Sequence, residues 1–323
     1  MSLILRHRRW ITVAAIVLVG WVVWRGAGYL WLFSRVNDGL AIVAYTQDDE
    51  VIYVYRWGTL HRLTVSGFRI GDIEWSPDGE SIAFVGFADL LAETAYIGVV
   101  NIATHDTRVL IRTIADDPEM HIRPHSTLAW SPDGKTILFD SMSALRVSQL
   151  HLLDVQTGVS HPTGVSFGGS PDQALGTVQV AWFPGAVPLG SVCYAGHMAG
   201  DEPPCRVYLM NQALTIATPL LAGANAEWLS DGHTIAFDCY DEVSMAFRGL
   251  YVYSTETRRT RVVADGIRSV DWSADGAFSV GYAGGGEGDS TYIVFYSARM
   301  GRIYKFKAPS WPDPIWSALA WAP

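Results

Sequence analysis

The chain has 323 residues, of which 49% are hydrophobic and 12% aromatic, so it can build a sizeable core in one large domain or two ordinary ones. Its net charge of −9 argues against a general nucleic-acid binder, because neutralising phosphates requires an excess of Lys and Arg. Charged residues make up only 17% of the chain, which indicates a membrane segment or an interaction surface.

The amino terminus matches a membrane anchor. A basic cluster at residues 6–9 precedes 23 apolar residues, 11–33, whose single charge is Arg25. At a rise of ~1.5 Å per residue this stretch spans roughly 34 Å, enough to cross a bilayer. The charge order predicts a cytoplasmic amino terminus. A cleavable signal peptide, cut near 26–28, is the alternative. Either reading divides the chain into 1–36 and 37–323 and places the second part in the periplasm or on the extracellular side.

A Trp-bearing motif recurs through the rest of the chain. "EWSPDGESIAF" begins at 74, "AWSPDGKTILF" at 129, "EWLSDGHTIAF" at 227 and "DWSADGAFSV" at 271. Weaker copies at 181 and 320 complete a set of six, and successive Trp residues are 44 to 55 positions apart. Repeats of this length with several short strands are typical of a β-propeller.

Each repeat reads as four strands: one ending in the Trp, one of the "IAF" type, and two more rich in apolar and β-branched residues. The chain begins out of phase, with a second-type strand at 41–45, and ends on the first-type strand "WSALAWAP". We therefore expect an all-β fold of six four-stranded blades, in which the carboxy-terminal strand closes the ring.

The Trp-Ser-Pro-Asp-Gly repeat followed by Ile-Ala-Phe resembles the TolB-like, WD-repeat-like six-bladed β-propeller family. The resemblance covers essentially all of 37–323. It implies that each Trp packs between blades and that the turn joins the first strand to the second. It does not imply an activity, because this architecture hosts unrelated functions.

Two other patterns suggest catalytic or metal sites. "GVSFG" at 164–168 matches the Gly-x-Ser-x-Gly pattern of hydrolases, but that motif requires a strand-to-helix elbow, so we expect Ser166 to be a loop residue. His121 and His125 lie among Asp116, Asp117 and Glu119, which resembles a metal cluster. Pro124 prevents a helix that would stack the two imidazoles, which favours a solvated polar loop.

Three carboxylates occupy the position before the Trp: Glu74, Glu227 and Asp271. Small residues suit that register beside a central channel, and like charges confined there repel. One hypothesis is a calcium ion bound in or near the channel. The alternative is that each carboxylate makes its own hydrogen bonds to backbone, Arg or water.

The three cysteines leave one pairing open. Cys193 and Cys205 flank a predicted hairpin loop and could form a disulfide bond across adjacent strands, or could be two small apolar residues on a sheet. Cys239 has no evident partner and is expected to be a buried thiol.

No His, Asp and Ser set has recognisable catalytic spacing. We therefore expect a non-enzymatic protein-interaction or scaffold module, such as an accessory subunit of a membrane complex, with the membrane and a protein as partners and no nucleic acid. The alternatives are a propeller hydrolase or lyase acting at the channel mouth, and an envelope protein that binds glycan or peptide.

Overall fold

The computed structural model describes residues 40–45, 50–56, 59–65, 69–88, 94–114, 120–123, 126–143, 147–168, 174–182, 187–195, 205–229, 231–240, 247–266, 268–272, 278–283, 292–297, 302–307 and 319–321. This part of the chain contains β-strands and no α-helix. None of it forms a helix with the length and apolar character needed to cross a membrane. The predicted anchor, 11–33, lies outside the described residues.

The strands follow the four predicted types. The first strands, which end at or beside the repeat Trp, are β4 (Arg69–Trp75), β8 (Leu128–Trp130), β12 (Ala174–Ala181), β16 (Ala224–Trp228), β20 (Arg268–Trp272) and β24 (Leu319–Trp321). The second strands are β1 (Leu40–Tyr45), β5 (Ser81–Phe87), β9 (Thr136–Met142), β13 (Leu189–Ala195), β17 (Thr234–Tyr240) and β21 (Phe278–Ala283).

The remaining strands are apolar and β-branched, as the sequence predicts. The third strands are β2 (Glu50–Arg56), β6 (Thr94–Asn101), β10 (Val147–Asp154), β14 (Cys205–Met210), β18 (Phe247–Ser254) and β22 (Tyr292–Ser297). The fourth strands are β3 (Thr59–Thr64), β7 (Thr107–Ile114), β11 (Ser160–Gly168), β15 (Ala217–Ala222), β19 (Arg259–Asp265) and β23 (Arg302–Lys307).

The described strands pair into four-stranded antiparallel sheets. Sheet 1 has the order β24-β1-β2-β3, and sheets 2 to 6 are β4–β7, β8–β11, β12–β15, β16–β19 and β20–β23. In sheet 1 the carboxy-terminal strand pairs with β1, so that Trp321 lies opposite Leu40. The out-of-phase start and end of the chain are therefore joined within one sheet.

The core lies between successive sheets rather than inside one layer. Phe84 of sheet 2 packs in a cluster with Ile52 and Leu63 of sheet 1. On the other face of the same strand, Val85 packs with Ile137 and Phe139 of sheet 3. Six of the seven residues of β5 are buried, because each sheet is covered on both faces by its neighbours.

Candidate functional site

The repeated turn builds the fold. Asp78 accepts hydrogen bonds from the Ser76 hydroxyl at 2.6 Å and from the Glu80 amide at 2.9 Å. These bonds hold the pKa of Asp78 below its ordinary value, the Ser76 hydroxyl being the main cause. Gly79 completes the turn at a φ of 67°, which only glycine adopts without strain. The predicted structural role of this motif is confirmed.

The repeat Trp residues connect neighbouring sheets. Trp130 of sheet 3 is buried and donates its indole N–H to the Glu74 carbonyl of sheet 2 at 3.3 Å. Trp228 of sheet 5 donates in the same way to the Val187 carbonyl, beside sheet 4, at 2.8 Å. Packing of the Trp between sheets is thus observed, together with an indole hydrogen bond that the sequence pattern did not predict.

A polar side chain three positions before the Trp makes a second connection. The Asp72 carboxylate accepts the Leu128 amide of sheet 3 at 3.0 Å. The Thr127 hydroxyl, directly before β8, accepts the Val180 amide of sheet 4 at 3.0 Å. The Gln179 side chain of sheet 4 accepts the Asn225 amide of sheet 5 at 3.0 Å. In all three cases a side chain in the first strand of one sheet, or directly before it, bonds to the first strand of the next.

Sequence reasoning missed this register, although a signal was present. The position three before the Trp is polar in five of the six repeats: Asp72, Thr127, Gln179, Asn225 and Ser269. This polar position lies two residues before the position of Glu74, Glu227 and Asp271 and recurs more regularly than their charge does.

The three candidate metal ligands lie in three different sheets. Glu74 is in β4, Glu227 in β16 and Asp271 in β20, each directly before its Trp. Glu74 and Glu227 are half-buried. No group of three or more His, Cys, Asp or Glu side chains within the described ranges is arranged to hold a metal ion.

A buried charged cluster lies where sheets 2 and 3 meet. Arg123 precedes β8 and forms an ion pair with Asp140 of β9 at 2.9 Å, with the Asp140 side chain fully buried. Ser148 of β10 donates to the same carboxylate oxygen at 3.0 Å. The other Asp140 oxygen is buried and has no hydrogen-bond partner among the described residues.

Asp72 is electrostatically linked to this cluster. Burial raises the pKa of Asp72 to about 7, hydrogen bonds from backbone amides oppose the rise, and the nearby Asp140 charge adds to it. A carboxyl that holds its proton near neutral pH can act as an acid or base, so this cluster is the strongest candidate for chemistry among the described residues.

A Ser–His pair also lies in sheet 3. The Ser141 hydroxyl is 2.9 Å from Nε2 of His151, and the imidazole stacks on Phe139. Both residues are buried, and burial lowers the pKa of His151. A nucleophile needs access to substrate. Neither residue lines the cleft that opens between sheets 2 and 3. We interpret the pair as part of the packing of sheet 3.

The remaining residues predicted as catalytic or metal-binding candidates do not form a common site among the described residues. Ser166 is exposed within β11, opposite Gln149, so the prediction that it is a loop residue is wrong: the fourth strand continues through Gly168. His121 forms a bridge with Met142, and burial and the Arg123 charge lower its pKa. The remaining members of that suggested metal cluster lie outside the described residues: Asp116, Asp117, Glu119 and His125.

The cysteines also differ from one another. Cys205 is disulfide-bonded, and its register partner on β13 is Cys193. Residues directly opposite in antiparallel strands have Cα atoms about 4.5–5.5 Å apart, within the range that a disulfide spans. Cys239 is a thiol outside any disulfide bond, and it is half-buried rather than buried as predicted.

One cleft of about 310 Å³ opens at the face of the tight turns, between sheets 2 and 3. Its lining includes Asp78, Asn101, Asp106, Arg108 and Trp130. The Asp78 carboxylate is engaged by its own turn, and Arg108 donates to the Val155 and Gln156 carbonyls of sheet 3. The Asp78 carboxylate is therefore satisfied within sheet 2, and the Arg108 guanidinium already joins the two sheets.

Solved structures with this architecture span several activities. TolB from Acinetobacter baumannii is 14% identical over 88% of this chain and 66% of its own, with a TM-score of 0.66. An oligogalacturonate lyase in complex with manganese is 16% identical over 86% and 77%, with a TM-score of 0.57. The β-propeller domain of the Trilobed protease from Pyrococcus furiosus is 14% identical over 84% and 80%, with a TM-score of 0.52.

These likenesses define the class: the chain has the TolB-like β-propeller fold. The chain spans 66% of the length of the TolB chain. No protein-family model matches the chain, and no curated protein matches it by sequence. These likenesses establish the fold, and one propeller architecture serves unrelated functions.

Proposed function

We propose that residues 37–323 form a six-bladed propeller that is held outside the cytoplasm by an amino-terminal membrane helix. We further propose that it acts as a non-enzymatic interaction module, such as an accessory subunit of a membrane complex. The strand pairing, the cysteine chemistry and the surface of the outer strands each support one part of this proposal.

Two observations support six blades in a closed ring. The strand β24 pairs with β1, which joins the two ends of the chain within sheet 1. The first strands also lie beside one another in cyclic order: β4 beside β8, then β12, β16, β20, β24 and again β4. Closure protects most strand edges, which matters for a domain exposed outside the cell.

The location is supported by the sequence and by one bond. The apolar stretch 11–33 has the length and flanking charges of a membrane anchor. The disulfide bond of Cys205 agrees with an oxidising compartment, because the cytosol keeps most thiols reduced.

The main support for an interaction role is a set of exposed apolar side chains on the outer strands. These side chains are 43% to 61% exposed, and each lies in a fourth strand or directly before one: Val109, Ile114, Val159, Ile216 and Val262. They extend over four successive sheets, 2 to 5. A contiguous apolar patch is typical of a docking site, and we propose that these side chains form one.

Direct contacts bring three of these sheets together near the apolar positions. Arg108, next to Val109, donates to the Gln156 carbonyl three residues before Val159. The Gly164 amide of sheet 3 donates to the Leu214 carbonyl at 2.8 Å, two residues before Ile216. These bonds join sheet 2 to sheet 3, and sheet 3 to sheet 4, near the exposed apolar positions.

Gentle detergent extraction followed by affinity capture and mass spectrometry tests this role. We expect a defined membrane protein to co-purify with the full chain in a fixed ratio. A surface variant should reduce its recovery at least tenfold while leaving the thermal midpoint unchanged. That variant combines four substitutions: Val109→Ser, Ile114→Ser, Val159→Ser and Ile216→Ser.

A matched control changes four exposed polar residues of the same region and should leave recovery unchanged: His161→Ala, Ser166→Ala, Gln212→Ala and Thr218→Ala. Recovery of the wild-type chain alone, as a stable monomer, would overturn the subunit role. Loss of the partner from both variants would show that the apolar side chains are not what it recognises.

A lyase acting at the channel mouth is the second candidate. It is favoured by the likeness to oligogalacturonate lyases and by the buried cluster of Arg123, Asp140 and Asp72. Incubation of the full chain with oligogalacturonate, with and without manganese, would generate an unsaturated product that absorbs in the ultraviolet. Product above the heat-denatured control would replace the non-enzymatic interpretation.

A further inference from the structure

The junction between sheets 4 and 5 brings two cysteine-bearing strands face to face. On β14, Val207 and Leu209 point into the core cluster that fills this junction. Side chains alternate along a strand, so Cys205, two residues before Val207, faces the same way. Cys205 is buried, with 7% of its surface exposed.

The strand on the other side presents its thiol to the same junction. On β17, Ile235 and Phe237 belong to that core cluster, and Cys239 packs against it. The Cys239 S–H points along its own strand, 3.7 Å from the Tyr240 carbonyl. Cys205 and Cys239 are therefore on opposing walls of one interface.

Gly223 contacts both cysteine-bearing strands close to the two cysteines. Its amide donates to the Cys205 carbonyl at 3.0 Å. A Cβ on Gly223 would lie 2.5 Å from the Phe237 ring and 3.0 Å from the Asp238 carbonyl oxygen. A single glycine thus separates the start of β14 from the residues directly before Cys239.

The chemistry of the two sulfurs is complementary. Cys205 is in a disulfide bond, whereas Cys239 is a thiol, and a thiolate and a disulfide are the reacting pair of thiol–disulfide exchange. We propose that Cys239 is an exchange site that moves the disulfide bond of Cys205 out of sheet 4 and into the junction with sheet 5.

The step balances without an external oxidant. The Cys239 thiol loses its proton to solvent, and the thiolate attacks the Cys205 sulfur. A Cys239–Cys205 bond forms while the existing disulfide bond breaks, and the former partner of Cys205 leaves as a thiolate that takes up a proton. One disulfide and one thiol are present before and after, so exchange alters the connection between sheets and not the overall redox state.

The exchange would change which strands the disulfide bond connects. In the present arrangement the register partner of Cys205 is in β13, within the same sheet. After exchange the bond would join sheet 4 to sheet 5 across their core. The leaving cysteine would become the remaining thiol.

The Cys193→Ser variant of the full chain tests whether the two sulfurs can meet. After treatment with oxidised glutathione, peptide mapping under non-reducing conditions should find Cys205 linked to Cys239 in most molecules. Cys205 and Cys239 found only as separate glutathione adducts would overturn the proposal.

A matched control moves the thiol to the other face of β17. In the Cys193→Ser background, Cys239→Ser combined with Tyr240→Cys should give at least tenfold less linked peptide, because adjacent residues face opposite sides of a strand. Equal linkage in the control would point to unfolding rather than proximity and would also count against the site.

The wild-type chain supplies a measurement that does not depend on the folding of a variant. In a glutathione redox buffer, rapid alkylation should trap molecules in which Cys193 is alkylated and Cys205 is linked to Cys239. Molecules alkylated only at Cys239 at every redox ratio would show that no exchange occurs. Either result is independent of the proposed interaction role, which depends on different residues.

Discussion

The junction between sheets 2 and 3 and the junction between sheets 4 and 5 meet the same structural need with different chemistry. In the first, the Asp72 carboxylate accepts an amide of the next sheet. In the second, the neutral Gln179 side chain accepts the Asn225 amide at 3.0 Å. The geometry is equivalent, so a full charge is not required for the connection.

The second strands show the same contrast. Asp140 of β9 and Asp238 of β17 follow the buried Phe of their repeats and are fully buried. Asp140 is paired with the Arg123 guanidinium, whereas Asp238 accepts the Asn225 side-chain amide at 2.6 Å. Because the first junction contains a buried cation and a second nearby carboxyl, we expect it to be sensitive to substitution and to pH.

The largest expected effect follows from removing the buried cation. Arg123→Leu leaves Asp140 buried without its counter-charge, and breaking one side of a buried pair costs about 3–5 kcal/mol. Urea unfolding followed by circular dichroism would measure the loss. The double variant Arg123→Leu/Asp140→Leu should recover much of it, and a loss below ~1 kcal/mol for the single variant would contradict the role of the pair.

A pH dependence is the next largest effect. The pKa of Asp72 is 3.8 in an ordinary environment and about 7 in the fold, so between these values the folded chain holds a proton that the unfolded chain releases. Stability should therefore fall as pH rises from about 4 to about 7. Part of the Asp72 surface stays accessible, so we expect on the order of 2 kcal/mol rather than the full ~4 that three pH units allow.

The Asp72→Asn variant isolates this contribution. Its amide oxygen can still accept the Leu128 amide, but it cannot ionise beside Asp140, so the slope of stability against pH should flatten between 4 and 7. An unchanged slope, measured by thermal unfolding over that range, would show that another group titrates there.

The smallest effect is expected from removing a neutral acceptor. Gln179→Leu removes the acceptor of the Asn225 amide and should cost about 1 kcal/mol, without any pH dependence. Thr127→Val, which removes the acceptor of the Val180 amide between sheets 3 and 4, should behave alike. A loss of stability that varies with pH in either variant would contradict the contrast between the ionisable Asp72 acceptor and the neutral Gln179 and Thr127 acceptors.

The repeat pattern made most of the fold predictable. Trp75, Asp78 and Gly79 determine a local strand-and-turn conformation, and local conformation depends on nearby residues that the sequence displays directly. The extent of β11 was not predictable, because strand ends depend on pairing across the sheet: Gly168 is in the ladder through its pairing with Val147.

The candidate site was only partly predictable for the same reason. Glu74, Glu227 and Asp271 stood out by charge, yet no described group of ligands gathers around them. Arg123 and Asp140 are 17 residues apart and come together only because the chain before β8 runs beside β9. No local pattern marks such a pair.

By itself, the sequence determined the four-strand repeat, the Trp and turn chemistry, and the position at which the two chain ends meet, since these depend on short-range conformation and on counting. Tertiary structure decided which polar side chains join sheets, which carboxyl holds its proton near neutral pH, and which cysteines face one another. Those properties arise from burial and from contacts between distant residues, and both exist only once the sheets are packed.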